Sequence, residues 1–241
     1  MSIILVGGGP DTVTTPVIFD RFVHDVRRRT GSRPPRIAVV LFDREGSSEY
    51  FLPAYLQPLR SRTPCEVVQV LLRSTEPADP ASFDGADAIV VGGGPTPEYL
   101  AGLLGSAPAI RTAVESGVPY LGFSAGAMVA PQRAIVGGYR LRGTEVCAEE
   151  CSEGLAELDI RNGLGLVPFA VDVHTAQAGT LSRAVAAVAA GLVDRAVAVD
   201  ENTALVLRHP DLEELAVIGT GNCWTIRGVG RKAAVSVLSA E

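Results

Sequence analysis

Val118-Pro119-Tyr120-Leu121-Gly122-Phe123-Ser124-Ala125-Gly126-Ala127 reads as a buried strand, a sharp turn carrying one hydroxyl, and the start of a helix. A turn this tight holds its central residue in a strained backbone conformation and needs small neighbours. Gly122, Ala125 and Gly126 supply them. The following helix points unsatisfied N–H groups and its positive dipole end towards the serine. The stretch thus predicts an α/β chain with a nucleophile elbow at Ser124, and it sets the reaction class as attack on a carbonyl.

Outward from this turn, strand-like and helix-like stretches alternate. Apolar runs at residues 3–6, 36–41, 66–72, 88–91 and 119–121 are continuous, as in a parallel sheet covered on both faces. Between them the pattern predicts helices over residues 16–29, 45–60 and 108–116. Thr96-Pro97-Glu98 reads as a further helix start, with Thr96 as N-cap. Leu181, Ala184, Val185, Val188, Ala189 and Leu192 mark an amphipathic helix capped by Thr180. After it come strand-like runs only, at residues 196–199, 203–207, 215–218, 224–226 and 234–238. Short turns separate them, which predicts an antiparallel β extension at the C-terminal end. The expected fold is one α/β domain over residues 1–241, with a mostly parallel central sheet flanked by helices on both faces.

Composition agrees with a deep core. The chain has 241 residues, 47% of them hydrophobic and 20% charged, which excludes a disordered polymer. A net charge of −6 disfavours a nucleic-acid partner. No apolar stretch reaches the roughly 18 residues of a membrane span, and residues 1–6 read as a first strand, not a signal peptide. The expected location is therefore the cytoplasm. Cys65, Cys147, Cys151 and Cys223 make no metal pattern, and no metal or organic cofactor is called for. The apolar composition leaves room for a homodimer without locating an interface.

A serine hydroxyl is a poor nucleophile at neutral pH and needs a base. Of the three histidines, His24 falls in a predicted helix among arginines and His209 in a turn, Arg208-His209-Pro210-Asp211. His174 ends an apolar run, where α/β enzymes place catalytic groups. Lys232, the only lysine, lies in a predicted turn near the C-terminal end and makes a poor alternative base. The base in turn needs a carboxylate to fix its tautomer. Asp172, Glu145, Glu149, Asp200 and Glu201 are candidates, and spacing does not choose among them. The rest of an oxyanion hole is expected in Gly92-Gly93-Gly94-Pro95, where Pro95 has no N–H and the donor is Gly93 or Gly94.

Four motifs in order carry a family resemblance: Val90-Val91-Gly92-Gly93-Gly94, Gly122-Phe123-Ser124-Ala125-Gly126-Ala127, Gly163 to Val167 with Asp172-Val173-His174, and Asp200-Glu201-Asn202-Thr203-Ala204-Leu205. Together they resemble the peptidase family of aspartyl dipeptidase (peptidase E) and cyanophycinase. The resemblance implies a fold like the class I glutamine amidotransferases and a Ser-His-Glu triad, by position Ser124, His174 and Glu201. It implies oxyanion donors at Ala125 and at a glycine among Gly92 to Gly94. It also places substrate-binding candidates after the histidine: Thr175, Gln177 and Arg183, the last to hold a substrate carboxylate. The stretch departs from cyanophycinase-like chains in keeping one arginine there, and from peptidase E in having Pro95 after the triple glycine. The expected activity is a serine peptidase-like hydrolase acting on a small peptide or isopeptide amide. An amidotransferase-like glutaminase and a non-enzymatic binding module are the alternatives.

Overall fold

Apolar runs too continuous for a half-exposed strand end up covered on both faces. Residues 3–6, 37–41 and 88–91 are all buried. The computed structural model describes residues 2–74, 76–208, 215–230 and 232–240. In its first half the chain runs β1 (Ser2–Val6), α1 (Pro16–Thr30), β2 (Arg36–Phe42), α2 (Ser48–Arg62), β3 (Glu66–Leu72), β4 (Ala88–Val91), α3 (Thr96–Leu104), α4 (Ala107–Glu115), β5 (Tyr120–Phe123) and α5 (Ala125–Met128). Short ribbons follow: β6 (Arg133–Gly137), β7 (Arg140–Leu141), β8 (Thr144–Glu145) and β9 (Asp159–Asn162). The last part comprises β10 (Ala170–Val173), α6 (Thr175–Ala178), α7 (Leu181–Ala189), β11 (Arg195–Val199), β12 (Thr203–Arg208), β13 (Leu215–Gly219), β14 (Asn222–Val229) and β15 (Lys232–Ser239).

The main sheet has the order β13-β12-β1-β5-β4-β2-β3. Its five strands from β1 to β3 in this order are parallel, while β12 pairs antiparallel with β1 and β13 antiparallel with β12. Helices cover both faces, as expected. α1 and α2 bury Phe19, Phe22, Tyr55 and Leu59 on one side, while α3, α4, α5 and α7 pack into the larger core on the other. The expected antiparallel C-terminal strands are present, divided between two sheets. β12 and β13 complete the main sheet, whereas β14 and β15 join β10 and β11 in a second sheet of order β10-β11-β14-β15. The chain crosses from the second sheet to the main one between β11 and β12, in the three residues 200–202.

Local chemistry moves some predicted boundaries. α2 begins at Ser48, not at residue 45, because Glu45 and Gly46 have φ of 52° and 86° and form a turn. The Asp43 carboxylate then accepts the Ser48 N–H at 3.0 Å and helps start the helix. Thr96 does not cap α3; its hydroxyl donates to Glu153 Oε1 at 2.8 Å. Thr180 stands at the start of α7, but its hydroxyl donates to the Val173 carbonyl at 2.6 Å, tying α7 to β10.

Candidate active site

Ser124 lies between β5 and α5 with φ 48° and ψ −109°, a strained conformation for a side-chain-bearing residue. Its N–H donates to the Val6 carbonyl at 3.0 Å, which pins the turn to the end of β1. The small neighbours are required by space. A methyl group added at Gly122 would lie 2.5 Å from the Gly126 carbonyl oxygen, and one at Gly126 would overlap the Val91 carbonyl. Tyr120, fully buried in β5, donates its hydroxyl to that Gly126 carbonyl at 2.7 Å. α5 is a single turn, so its dipole is smaller than a long helix would give.

His174 follows β10 with φ 55° and ψ 36°, and its N–H donates to the Gly7 carbonyl at 2.8 Å. The last residue of β1 and the glycine after it therefore fasten both strained residues through consecutive carbonyls. The His174 ring spans the gap between two side chains: Nε2 is 2.9 Å from Ser124 Oγ, and Nδ1 is 2.7 Å from Glu201 Oε1. An ionised carboxylate only accepts hydrogen bonds. Nδ1 thus carries the proton, and Nε2 is left to accept from the Ser124 hydroxyl. Gly8 packs flat against this pair, since a methyl group there would lie 3.0 Å from both His174 Cε1 and Glu201 Cγ. The first glycine run, Gly7-Gly8-Gly9, is therefore part of the site.

Glu201 is the carboxylate that reaches the imidazole, and the other candidates are engaged elsewhere or exposed. Asp172 is fully buried and holds Arg183 in a two-pronged ion pair, at 2.6 and 2.8 Å. Asp200 is a buried brace that accepts from the Ala176 and Asn222 N–H groups and from Trp224 Nε1. Glu145 and Glu149 are exposed. His24 is exposed on α1, and His209 lies outside the described residues.

The glycine turn after β4 corrects one expectation. The Gly93 N–H donates to the Tyr55 hydroxyl at 3.0 Å and is taken. Tyr99 donates its hydroxyl to the Gly93 carbonyl at 3.0 Å. Among the described residues, the N–H groups of Gly94 and Ala125 have no acceptor and remain free to donate. Burial pushes the Tyr55 hydroxyl up to about 12 against the opposing Gly93 N–H, so it is neutral at ordinary pH. The two tyrosines were not singled out in the sequence. The available signal was a phenol at a buried position of a helix, which normally finds a partner for its hydroxyl.

The substrate-binding expectations are also redistributed. Arg183 is 2% exposed, and besides Asp172 it donates to the carbonyls of Gly138 and Cys151. Burial works against its charge, but the Asp172 carboxylate outweighs that and holds it firmly protonated. It braces α7 against β10 and is neither a surface arginine nor a free substrate cation. Gln177 accepts the Glu201 N–H through Oε1 at 2.9 Å and positions that residue. Thr175 is 2% exposed, and its hydroxyl has no hydrogen-bond partner among the described residues.

Two cavities share Gly94, Ser124 and His174 in their walls, one of about 490 Å³ and one of about 570 Å³. Among the described residues, no group of three or more His, Cys, Asp or Glu is placed to hold a metal ion. No helix there is long and apolar enough to cross a membrane.

Comparison with known proteins adds a family to this geometry. Residues 59–215, more than half of the chain, match the model of peptidase family S51. Among solved structures, the fold is similar to a peptidase from an acI-B1 Actinobacterium. The TM-score is 0.68 at 19% identity, covering 99% of this chain and 94% of that one. It is also similar to a putative peptidase E protein from Listeria monocytogenes EGD-e, with a TM-score of 0.60 at 16% identity, covering 91% of this chain and 98% of that one. No curated protein gave a significant match.

Proposed function

The chain belongs to peptidase family S51, and on that premise we propose that Ser124, His174 and Glu201 form the triad of a serine-type peptidase acting on short peptides or isopeptides. The observation that carries this reading is the unbroken line from Ser124 Oγ to His174 Nε2, 2.9 Å, and from His174 Nδ1 to Glu201 Oε1, 2.7 Å. The likeness to a putative peptidase E protein supports a dipeptidase-like activity.

The steps follow from the geometry. His174 Nε2 takes the hydroxyl proton as Ser124 Oγ attacks the amide carbon. The carbonyl oxygen becomes an oxyanion and receives the N–H groups of Gly94 and Ala125, each worth roughly 3–4 kcal/mol in a site of this kind. Glu201 stabilises the imidazolium without taking its proton. His174 then protonates the departing amine, and the acyl group stays on Ser124. Water, deprotonated by His174, attacks the ester carbon, and the serine is released with its proton restored. No step calls for a metal or organic cofactor. Nothing in the site favours the glutaminase alternative, whose nucleophile is a cysteine at this turn. A cytoplasmic setting is supported by the four free cysteines.

The reading is tested with a panel of dipeptides and isoaspartyl peptides. Ser124→Ala should lower turnover of any cleaved peptide by several orders of magnitude, roughly 10⁶-fold for a triad serine. Equal turnover by the alanine variant would overturn the proposal.

A further inference from the structure

The two cavities beside Ser124 differ in chemistry. The first is walled by Pro10, Phe42, Phe51, Ala54, Tyr55 and Pro95. Among the described residues, no carboxylate lines it. Phe51 in this wall is 53% exposed, an aromatic surface that an apolar group would cover. Arg44, also in its wall, is exposed, and its guanidinium has no ion-pair or hydrogen-bond partner among the described residues. The Arg44 backbone is held in place, since its N–H donates to Ser47 Oγ at 3.0 Å. Of the two acids adjoining it in sequence, Asp43 is engaged by the Ser48 N–H and by Arg73. Glu45 and Glu49 line a separate cavity.

The second cavity is acidic. Glu150, Glu153 and Glu201 line it together with Met128, Ala178 and Arg183. The Arg183 charge is neutralised within the protein by Asp172, 2.6 Å away. Glu201 serves His174, and Glu153 accepts the Thr96 hydroxyl. Glu150 is exposed, and its carboxylate has no partner among the described residues.

A short peptide carries an ammonium at one end and a carboxylate at the other. We infer that the site takes such a peptide in one polarity, with an apolar C-terminal residue seated in the Phe42, Phe51 and Tyr55 chamber and its free carboxylate on Arg44. The residue acylated on Ser124 then lies towards the acidic cavity, with its ammonium facing Glu150. The inference rests on Ser124 being the nucleophile, and it deepens that reading by naming the leaving residue. The planar Arg44 guanidinium suits a carboxylate better than a neutral amide. An aliphatic or aromatic side chain gains from burial in the chamber. An acidic side chain there would lose water without gaining a partner beyond the one arginine.

The experiment separates binding from catalysis. Calorimetry on the Ser124→Ala protein compares alanyl-phenylalanine with its C-terminal amide, its N-acetyl form and alanyl-aspartate. We expect alanyl-phenylalanine to bind tightest, and each other ligand to bind about tenfold or more weakly, a difference of about 1.4 kcal/mol. On the same background, Arg44→Ala should abolish the preference for acid over amide and leave the penalty for N-acetylation. Glu150→Gln should do the reverse. Both side chains are exposed, so neither variant threatens the fold. The inference is overturned if acid and amide bind within twofold of each other, if alanyl-aspartate binds better, or if alanyl-phenylalanine does not bind at millimolar concentration. Hydrolysis by the parent enzyme without end-group discrimination sinks this inference alone. Discriminating binding without hydrolysis of any peptide sinks the peptidase reading instead.

Discussion

The backbone N–H of Gly93 donates to the hydroxyl of Tyr55 at 3.0 Å, so a side chain of α2 occupies the group that a glycine-rich turn would otherwise offer to a substrate oxyanion. Tyr99 completes the clamp by donating to the Gly93 carbonyl and accepting the Phe42 N–H. With both backbone groups of Gly93 committed, the turn is held still while the next N–H, that of Gly94, stays free. Preorganised donors of this kind need no reorganisation at the moment of reaction.

Tyr55→Phe keeps the ring and removes the acceptor. It should lower stability by about 1–3 kcal/mol, the cost of leaving a donor unpaired, and lower kcat more than it raises KM. Urea unfolding and steady-state kinetics check both. The pH consequence has a definite sign. Tyr55 is held neutral in the fold up to about 12, above its ordinary 10.0. Its contribution is fully present below the unfolded value and is lost as pH rises from 10.0 through about 12. Tyr99 and Tyr120 shift in the same direction, also by burial. Thermal melts should therefore fall steeply on the alkaline side of about 10, and less steeply in Tyr55→Phe.

Ser124→Gly separates strain from chemistry. A φ of 48° costs a side-chain-bearing residue of order 1–3 kcal/mol, and glycine adopts it freely. The glycine variant should be inactive yet at least as stable as the parent by urea titration, while Ser124→Ala keeps the strain. A glycine variant clearly less stable than the alanine variant would contradict the strained turn.

Gly8→Ala introduces a methyl group 3.0 Å from His174 Cε1 and from Glu201 Cγ. Either the imidazole or the carboxylate must shift by a few tenths of an ångström, which lengthens the relay. We expect kcat to drop by about 10²-fold, a loss typical of a slightly misplaced catalytic group, with a far smaller change in melting temperature.

Arg183→Met leaves the Asp172 carboxylate buried without its partner, at a cost of about 3–5 kcal/mol. Asp172→Leu combined with Arg183→Met should recover most of that stability and much of the activity. Had Arg183 been the substrate's counter-ion, the double variant would fold well and still show a greatly raised KM. Chemical denaturation and kinetics on the same preparations tell the two roles apart.

Much of this architecture is legible in the chain because burial on two faces writes itself as uninterrupted apolar sequence. Residues 203–207 are all buried, which is what a strand between β1 and β13 requires. What the local pattern does not carry is which sheet a strand joins. The C-terminal strands are therefore divided between two sheets although their sequences look alike. Ser124 and His174 stand out because a tight turn and a strand end restrict neighbouring residues. The approach of Glu201 to His174 depends instead on the crossing between sheets, which the resemblance supplied and spacing did not. Arg183 was misplaced for a similar reason. Its helical periodicity is visible, but the carboxylate that permits its burial sits on β10, eleven residues earlier in sequence. The Tyr55 half of the clamp on Gly93 is also non-local, joining α2 to the end of β4.

The most direct test of the relay is the rate at which a fluorophosphonate modifies the protein, with the modified residue located by mass spectrometry. The account predicts a single adduct on Ser124, formed at least about 10²-fold more slowly in His174→Ala, as expected for loss of a general base, and at an intermediate rate in Glu201→Gln. Modification that proceeds equally fast without the imidazole, or that lands on another residue, would contradict it.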